Sequence, residues 1–467
     1  MRANINAEGH DHQSSGSGTG ITNRINWREF RPLLTSDRQR IMTLARAALF
    51  WLLATRTSAE IVIGLFGRTS GGDEGGFSLG AIFNLAALLI ATVALLYWSR
   101  SRSKLPILVW APYLIIAAGS LTYTTEVGDS ARLLMSTLTF PAIFLSAFIL
   151  LRTIEDVANL LLCIIYSSIV PTVVAFYQIA TGGLGGMTGD RLQSTFSHPN
   201  VFAFYVIAVI CAILYYNLVA HRHVTAIWRA FLFSYIPVLL AFLLITQTRS
   251  AWLGMAAFIV IYAIGVDRKL LVALPCAPLV LMLPVVSQRF EGIGAEPTIT
   301  FEDVQSGYVV ANSYGWRQLL WGRALEDSAD ARVLGKGLGT LGKNALHFFP
   351  LSEHATEAHS AYVQTIYELG ILGLLAYLML YLGIIGAVFI YRRRAPRLAY
   401  IVIGFGVVNL LISYSDNLPY YLSYNWYVWA IFGADFALRF GVLQPAPRRL
   451  QTFAEMPSSS ATAAQPR

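Results

Sequence analysis

The sequence predicts an all-α, polytopic integral membrane protein, and three observations carry that prediction. Of its 467 residues, 55% are hydrophobic and 13% are charged, whereas an average soluble domain has about 25% charged residues. Apolar runs long enough to cross a hydrocarbon core of about 30 Å as helices recur along almost the whole chain. The basic residues concentrate in alternate loops between these runs, which is typical of a protein that spans a bilayer.

About twelve apolar runs have the length of a membrane-spanning helix. They cover residues 43–65, 78–98, 105–123, 132–151, 157–180, 200–219, 230–247, 250–266, 270–287, 362–390, 398–415 and 421–439. The first run is the most interrupted, by Arg46, Arg56 and Glu60. One large loop, residues 288–361, separates the ninth run from the tenth.

The net charge of +8 follows the loops and does not form the basic patch expected of a nucleic-acid-binding protein. If the N-terminus is cytoplasmic, the loops after even-numbered spans carry most of the basic residues, Arg392, Arg393 and Arg394 among them. The short loops on the other side carry Arg68, Arg132, Arg191 and Arg249. The positive-inside rule then predicts cytoplasmic termini and a large loop outside the cytoplasm.

Composition divides the chain into three segments. Residues 1–42 are polar, with a Gly/Ser-rich stretch and no apolar core of a signal peptide, and they are predicted to be a disordered cytoplasmic N-terminus. Residues 43–443 form the predicted transmembrane domain, and residues 444–467, rich in Pro, Ser and Ala, a disordered cytoplasmic tail. The cysteines Cys163, Cys211 and Cys276 fall inside predicted spans, so they are interpreted as packing residues and no disulfide is predicted.

Unusual polar residues gather in the loops predicted to lie outside. In "GDRLQSTFSHPNVFAFY", residues 189–205, Arg191, His198 and Asn200 come just before the sixth span. Pro199 fits the first turn of a helix, and Ser197 is a plausible cap before it. Capping is also an alternative interpretation of Asn200, but it leaves Arg191 and His198 unexplained.

Arg249 lies in "TQTRSAWLG", residues 246–254, a turn so short that this arginine must sit at the membrane surface. An interfacial arginine either snorkels to lipid headgroups or binds a ligand. The positive-inside pattern makes an arginine on this side unusual. A binding role is therefore the favoured interpretation.

The large loop passes through "NSYGWRQLLWGRALED", residues 312–327, in which Trp316, Leu319, Leu320 and Leu325 recur at helical spacing. The spacing predicts a short amphipathic helix on the membrane surface, with Arg317 beside its apolar stripe. "GKGLGT", residues 335–340, lacks the full phosphate-binding loop pattern and is interpreted as a turn.

The loop ends in "EHATEAHS", which contains Glu357 and His359 and does not have the spacing of a zinc motif. His359 stands at the start of the tenth span, followed by Gly370 and Gly373, which are interpreted as close packing against a neighbouring helix. A histidine in this position is often a headgroup-level or capping residue. Together with three arginines on the same side, however, it would make a site for a diphosphate beside a neutral base.

These residues resemble the superfamily of O-antigen ligases and O-antigen polymerases, over roughly residues 185–390. The family's ligase motif is His followed by Asn, Ser or Gln, nine residues and G-x-x-G, and "HSAYVQTIYELGILG" fits it from His359 to Gly373. The motif usually continues with Thr or Val, where this chain has Leu374. "RLQSTFSHPN" and "SYGWRQLLWGRAL" are similar to the arginine segments of the family.

The resemblance implies a C-type glycosyltransferase-like fold and an inverting enzyme that needs no metal or other cofactor. The implied donor is an oligosaccharide on undecaprenyl diphosphate, with Arg191, Arg249 and Arg317 as diphosphate ligands and His359 as the catalytic residue. His198, Asn200, Glu357 and Asp416 are support candidates; Asp416 could equally orient an acceptor, balance an arginine or cap a helix. The implied location is the bacterial inner membrane, with the site facing the periplasm, and envelope polysaccharide assembly proteins are candidate partners.

The acceptor stays open at this point. A polymerase extends another lipid-linked repeat unit, which is slightly favoured here, whereas a ligase transfers the glycan to lipid A core or to protein. A secondary transporter is the alternative from another class, although transporters place ionisable groups or broken helices near the bilayer midplane. A structural scaffold is the third alternative, and a clustering of Arg191, Arg249, Arg317 and His359 would argue against it.

Overall fold

A computed structural model describes residues 27–69, 79–98, 103–183, 185–186, 189–220, 225–276, 282, 286–287, 302, 313–349 and 356–441. Within these ranges the chain is helical, apart from turns and a two-residue antiparallel pair, β1 (Gly185–Gly186) and β2 (Gly189–Asp190). The predicted all-α class is confirmed for the part of the chain that the structure describes.

Helices follow one another along the described chain. They are α1 (Trp27–Thr69), α2 (Leu79–Leu96), α3 (Leu105–Gly119), α4 (Val127–Leu150), α5 (Ile154–Ser167), α6 (Ile169–Thr181), α7 (Pro199–Val219), α8 (Ala226–Ile245), α9 (Arg249–Gly265), α10 (Ser313–Asp327), α11 (Leu341–Phe348), α12 (Ala361–Ile390), α13 (Pro396–Ser413) and α14 (Leu422–Phe440). Short 3₁₀ helices lie at Ser120–Thr122, Arg268–Cys276, Ala329–Ala331, Arg392–Arg394 and Leu418–Tyr420.

Every predicted span except the ninth coincides with these helices. The ninth begins in the 3₁₀ helix Arg268–Cys276 and continues largely outside the described residues. Seven described segments are long and apolar enough to cross a membrane: Leu105–Thr122, Val127–Leu150, Ile154–Thr181, Pro199–Val219, Ala226–Ile245, Ala361–Ile390 and Pro396–Ser413. The protein is therefore multi-pass, while the count of about twelve spans stays a prediction.

The chain divides into two compact units, Met1–Ile41 and Met42–Arg467. In the first unit, the described residues 27–41 form the beginning of α1. This helical stretch falls inside the segment 1–42 for which the sequence predicts a disordered tail. Residues 1–26 and the predicted tail 444–467 lie outside the described residues.

The apolar core of the second unit surrounds α7, whose residues from Pro199 to Ile213 are buried on every side. A helix that is hydrophobic all round is expected in such a central position. It packs against α5, α8, α13 and α14. Beside it, α4 and α14 approach closely at Gly433, where an added Cβ would lie 2.5 Å from the carbonyl oxygen of Phe144.

The charges that interrupt the first predicted span are paired. Arg46 lies 2.6 Å from the Asp156 carboxylate, and Arg56 lies 2.7 Å from Glu60 one turn further along α1. The Arg56 guanidinium also lies over the ring of Trp426, 5.3 Å from its centroid. Because ionisable groups within a membrane helix are costly unless they are paired, these contacts explain how α1 carries them.

The helices of the large loop pack on each other. Helix α10 confirms the predicted helix at 312–327 and buries Leu319 and Leu320 against Ala345 and Phe349 of the α11 region. The sequence predicts that its apolar face lies on the membrane surface. That expectation needs correction for Leu319 and Leu320, because protein covers them; Leu325 is 41% exposed.

Helix α12 is broken at Gly370, which has φ 67° and ψ −169°. The loop 332–337 fills the break: the Ile371 N–H donates to the Arg332 carbonyl at 2.9 Å, and the Gly337 N–H donates to the Glu368 carbonyl at 2.8 Å. A Cβ at position 370 would lie 2.2 Å from the carbonyl oxygen of Val333. Gly370 therefore packs against this loop and not, as predicted, against a neighbouring helix.

Candidate active site

A hydrogen bond between Asn200 and Asp416 forms the centre of a buried polar cluster. The Asn200 Nδ2 donates to Oδ1 of Asp416 at 2.6 Å, and it joins positions 216 residues apart in sequence. Asn200 is 6% exposed and Asp416 is 1% exposed. Because Asn200 is in the first turn of α7 and Asp416 follows α13, the bond fixes one helix end against another.

Hydroxyl groups of neighbouring residues also donate hydrogen bonds to Asn200 and Asp416. Ser250 donates to Oδ2 of Asp416 at 2.9 Å, and the Tyr421 hydroxyl donates to Oδ1 at 3.3 Å. Thr248 donates to Oδ1 of Asn200 at 3.2 Å. The Asp416 carboxylate therefore links side chains of separate segments.

Arg191 joins the cluster through its guanidinium. Its Nη2 donates to Oδ1 of Asn200 at 2.7 Å and to Oγ1 of Thr248 at 3.0 Å, and its Nε donates to the Thr246 carbonyl at 2.9 Å. These bonds hold the arginine against the start of α9. The charge of Arg191 is thus fixed beside the Asn200–Asp416 pair.

His198 is the N-cap of α7, where the sequence favours Ser197 as the cap. Its Nδ1 accepts the backbone N–H of Asn200 at 3.1 Å, and Pro199 is the first helical residue, as predicted. An imidazole that accepts at one nitrogen carries its proton on the other. His198 is therefore held as the neutral tautomer with hydrogen on Nε2.

Arg317 of α10 reaches the same end of the bundle. Its Nη1 donates to the carbonyl of Ser415, next to Asp416, at 2.9 Å. One turn further along α10, the Trp321 indole N–H donates to the Ala358 carbonyl at 2.6 Å. The loop helix is thereby attached on one side to the turn after α13 and on the other to the residue before His359.

His359 occupies a strained turn just before α12. Its φ is 49°, which is uncommon for a residue other than glycine. The turn is held by its neighbours, because the Ala361 N–H donates to the Asp416 carbonyl at 3.1 Å and the Ala358 N–H donates to Oε1 of Gln364 at 2.9 Å. Nδ1 of His359 is buried and has no hydrogen-bond partner among the described residues.

Burial and positive charge together hold both histidines neutral. Burial lowers the pKa of His359 to about 4, and the charge of Arg317, together with that of His198 when it is protonated, adds to the effect. Burial likewise lowers the pKa of His198 to about 4, with Arg191 and Arg317 as the further causes. Near neutral pH both imidazoles are therefore unprotonated, and Nδ1 of His198 already accepts the Asn200 N–H.

Burial shifts the pKa of the carboxyl groups in the opposite direction, upwards. Burial raises the pKa of Glu357 to about 6; the Asn417 hydrogen bond opposes this, and the charge of Asp416 adds to it. Burial also raises the pKa of Asp416, although Arg317 and the hydrogen bonds from Asn200 and Ser250 act against it. Glu357 therefore gains or loses its proton at a pH slightly below neutral.

The structure therefore brings most of the predicted site residues to one end of the helix bundle. Arg249 begins α9 between Thr248 and Ser250, both of which bond to the cluster. Glu357 accepts a hydrogen bond from Asn417 at 3.2 Å, next to Asp416 in sequence. These positions argue against the scaffold alternative, while the chemical roles of the residues stay predictions.

Sequence reasoning missed the hydroxyl partners Thr248, Ser250 and Tyr421. Thr248 and Ser250 flank Arg249, and Tyr421 follows Asp416 by five residues, so proximity to a predicted ligand was the available signal. Their role depends on the meeting of three chain segments. That meeting could not be read from any one stretch of sequence.

The fold and the cluster define a multi-pass helical membrane protein with an arginine- and histidine-rich polar site at its helix ends. Residues 235–378 match the family model of the O-antigen ligase. This match confirms the relationship to the O-antigen ligase and polymerase superfamily that the motif at His359 indicates. It contains Arg249, Arg317 and His359, whereas Arg191 and Asp416 lie outside it. A comparison with curated proteins found no match.

Proposed function

We propose that the protein is a glycosyltransferase that moves a glycan from undecaprenyl diphosphate to an acceptor hydroxyl at the periplasmic face of the bacterial inner membrane. Its reaction is the polymerisation of exopolysaccharide or O-antigen repeat units. The O-antigen ligase domain supports a lipid-linked glycan as substrate. The observation that carries the proposal is the buried Nδ1 of His359, which has no hydrogen-bond partner among the described residues. Burial and the charge of Arg317 lower the pKa of the same imidazole.

The arginines suit a diphosphate leaving group. A guanidinium presents a planar fork of donors that matches phosphate oxygens, and it keeps its charge at any physiological pH. Arg191 is held by Asn200 and Thr248, and Arg317 by the Ser415 carbonyl. Arg249 is the first residue of α9, between the cluster residues Thr248 and Ser250. Arginines fixed in advance stabilise the charge that develops on the leaving diphosphate.

His359 is the proton acceptor in the proposed reaction. The acceptor hydroxyl oxygen forms a bond to the anomeric carbon, the bond from that carbon to the diphosphate oxygen breaks, and undecaprenyl diphosphate leaves with the electron pair. The hydroxyl proton passes to His359. A bound diphosphate offsets the arginine charge that lowers the pKa of His359, so the imidazole becomes a stronger base when the donor is present.

The test replaces His359→Ala in a host strain that lacks the gene. We expect repeat units to stay single on the lipid carrier, at normal protein level, because the acceptor hydroxyl loses its base; the rate loss expected for such a base is about 10²- to 10⁴-fold. Gel analysis of lipid-linked and released polysaccharide measures this. The matched control is His347→Ala, an exposed histidine of α11 in the same loop, which should leave the glycans unchanged.

Other glycan patterns would assign other functions. Long lipid-linked chains without a final acceptor would indicate ligation to lipid A core or protein, which is the second candidate. The break of α12 at Gly370 is a feature of transporters, although the loop 332–337 fills it. Unchanged glycans in the deletion strain would therefore favour transport, and unchanged glycans in His359→Ala alone would refute the role of His359.

A further inference from the structure

Glu368 is a buried carboxylate outside the cluster around Asp416. It lies in α12 two residues before the break at Gly370, and it is 2% exposed. It is nine residues beyond His359, on the part of α12 that precedes the break. Glu368 is one of the nine residues that the sequence motif leaves unspecified, so the motif assigns it no role.

Its carboxylate is held by donors from separate segments. The Tyr420 hydroxyl donates at 2.7 Å and the Gln364 side-chain amide donates at 2.5 Å.

The bond to Gln364 reaches the turn of His359. Because the Gln364 side chain donates its amide NH₂ to Oε1 of Glu368, its own Oε1 faces the opposite direction. That Oε1 accepts the N–H of Ala358 at 2.9 Å. The Ala358 carbonyl is held from the other side by Trp321 at 2.6 Å. Both backbone polar groups of Ala358, the residue before His359, are therefore held.

We propose that Glu368 is a positioning residue for His359, and that it acts through the orientation of Gln364. The inference rests on the proposed function, because it takes His359 as the base. Glu368 does not need to touch the substrate. It sets the Gln364 amide, which in turn holds the left-handed turn that presents the imidazole.

The first variant is Glu368→Gln, which keeps the size of the side chain. Tyr420 and Gln364 both donate to Oε1 of Glu368. Where the new amide presents its NH₂ in place of that oxygen, Gln364 loses its partner or flips and turns its own NH₂ towards the Ala358 N–H. We expect kcat to fall about ten- to a hundredfold, because a small misplacement of a catalytic group has effects of that size. KM for undecaprenyl-diphosphate-linked repeat units extracted from the deletion host should change less than about threefold.

A rescue variant separates positioning from general packing. Gln364→Glu combined with Glu368→Gln exchanges the two groups. The new carboxylate at position 364 can accept from Ala358 and from the new amide at 368, while the amide oxygen at 368 still accepts from Tyr420. We expect this double variant to recover at least about tenfold of the lost kcat. If the carboxyl group at position 368 only supports packing, kcat should not recover in the double variant.

Thr365→Val is the matched control. Thr365 is 4% exposed on the same turn of α12, and its hydroxyl bonds to the Ala361 carbonyl at 2.6 Å without reaching Ala358. This variant should keep the kcat of the unmodified protein. If Glu368→Gln lowers the melting temperature too far for assay, Gln364→Ala replaces it, since that change cuts the link and keeps the Tyr420 bond.

The outcomes distinguish the inference from the proposed function. Normal kcat in Glu368→Gln or Gln364→Ala, with His359→Ala inactive, would overturn the positioning role and keep the function. A His359→Ala protein as active as the unmodified one would instead overturn the proposed base. A residual activity of His359→Ala that falls no further on adding Glu368→Gln would show that both residues act through one step.

Discussion

At the scale of single residues, the cluster is built from groups whose neighbours set their protonation. Burial holds the pKa of both His198 and His359 at about 4 and raises that of Glu357 to about 6. These shifts make the free energy of unfolding depend on pH. The sign of the dependence differs between the histidines and the glutamate.

Acid should destabilise the protein through the two histidines. A histidine with a folded pKa near 4 binds a proton first in the unfolded chain, where its pKa is about 6.5. The free energy of unfolding therefore falls as the pH drops from about 6.5 towards 4, by about 2 kcal/mol per histidine between pH 7 and pH 5. Glu357 partly offsets this loss, because its raised pKa favours the folded state below about pH 6.

Denaturant unfolding of the purified protein at pH 7 and pH 5 measures this dependence. A variant that combines His198→Asn, which keeps a capping acceptor, with His359→Gln should show a smaller difference in the free energy of unfolding between pH 7 and pH 5. His347→Gln, at an exposed position, is the control and should keep the original dependence. If the combined variant and the unmodified protein lose the same free energy of unfolding between pH 7 and pH 5, the pH dependence does not come from His198 and His359.

Two arginines of α10 offer a second residue-scale comparison. Arg317→Lys keeps the charge but loses the planar fork, so we expect kcat/KM for the lipid-linked donor to fall about tenfold or more. Arg323→Lys is the control, because Arg323 is paired with Glu326 at 2.9 Å on the exposed side of the helix, and it should change less than about twofold. Purified protein with extracted donor gives the measurement, and equal effects would argue against a diphosphate contact of Arg317.

At the scale of elements, the broken helix α12 connects the large loop to the site. The loop 332–337 donates to and accepts from backbone groups that the break at Gly370 leaves free. A helix interrupted near a membrane must satisfy such groups within the protein. The break therefore anchors the segment between α10 and α11, and with it Arg317 and Trp321.

Gly370→Ala should disrupt this anchor. The residue has a positive φ, and the added Cβ would lie 2.2 Å from the Val333 carbonyl oxygen, so we expect a loss of at least about 2 kcal/mol in the free energy of unfolding. Gly386→Ala in the same helix meets no atom within 4 Å, and it should be neutral or slightly stabilising. Thermal unfolding followed by fluorescence compares the two, and similar melting temperatures would refute the role of the break.

At the scale of the whole molecule, the charge pattern predicts which side of the membrane holds the site. The large loop should lie outside the cytoplasm and the Arg392–Arg394 turn inside it. These two regions flank α12, which is long and apolar enough to cross the membrane. They must therefore lie on opposite sides if the prediction is right.

Labelling of single cysteines tests the prediction. We would replace Cys163, Cys211 and Cys276 by Ala and introduce either Leu346→Cys, at a position that is 41% exposed on α11, or Arg393→Cys, at an exposed position after α12. A membrane-impermeant maleimide should label the first in spheroplasts, in which the outer membrane is breached, and the second only after permeabilisation. Labelling of both without permeabilisation would mean that α12 does not cross, and the reverse pattern would place the site in the cytoplasm.

The sequence by itself determined the helical class, the positions of most helices and the resemblance to the O-antigen ligase and polymerase superfamily, because hydrophobic run length and the His359 motif are local properties of the chain. It also singled out Arg191, Arg317 and Asp416 as site candidates. Tertiary structure decided what these residues touch: the Asn200–Asp416 bond joins positions 216 residues apart. Glu368 is likewise linked through Gln364 to Ala358, the residue before His359. Such contacts depend on how helix ends meet, which is set by packing of the whole core and not by any single segment.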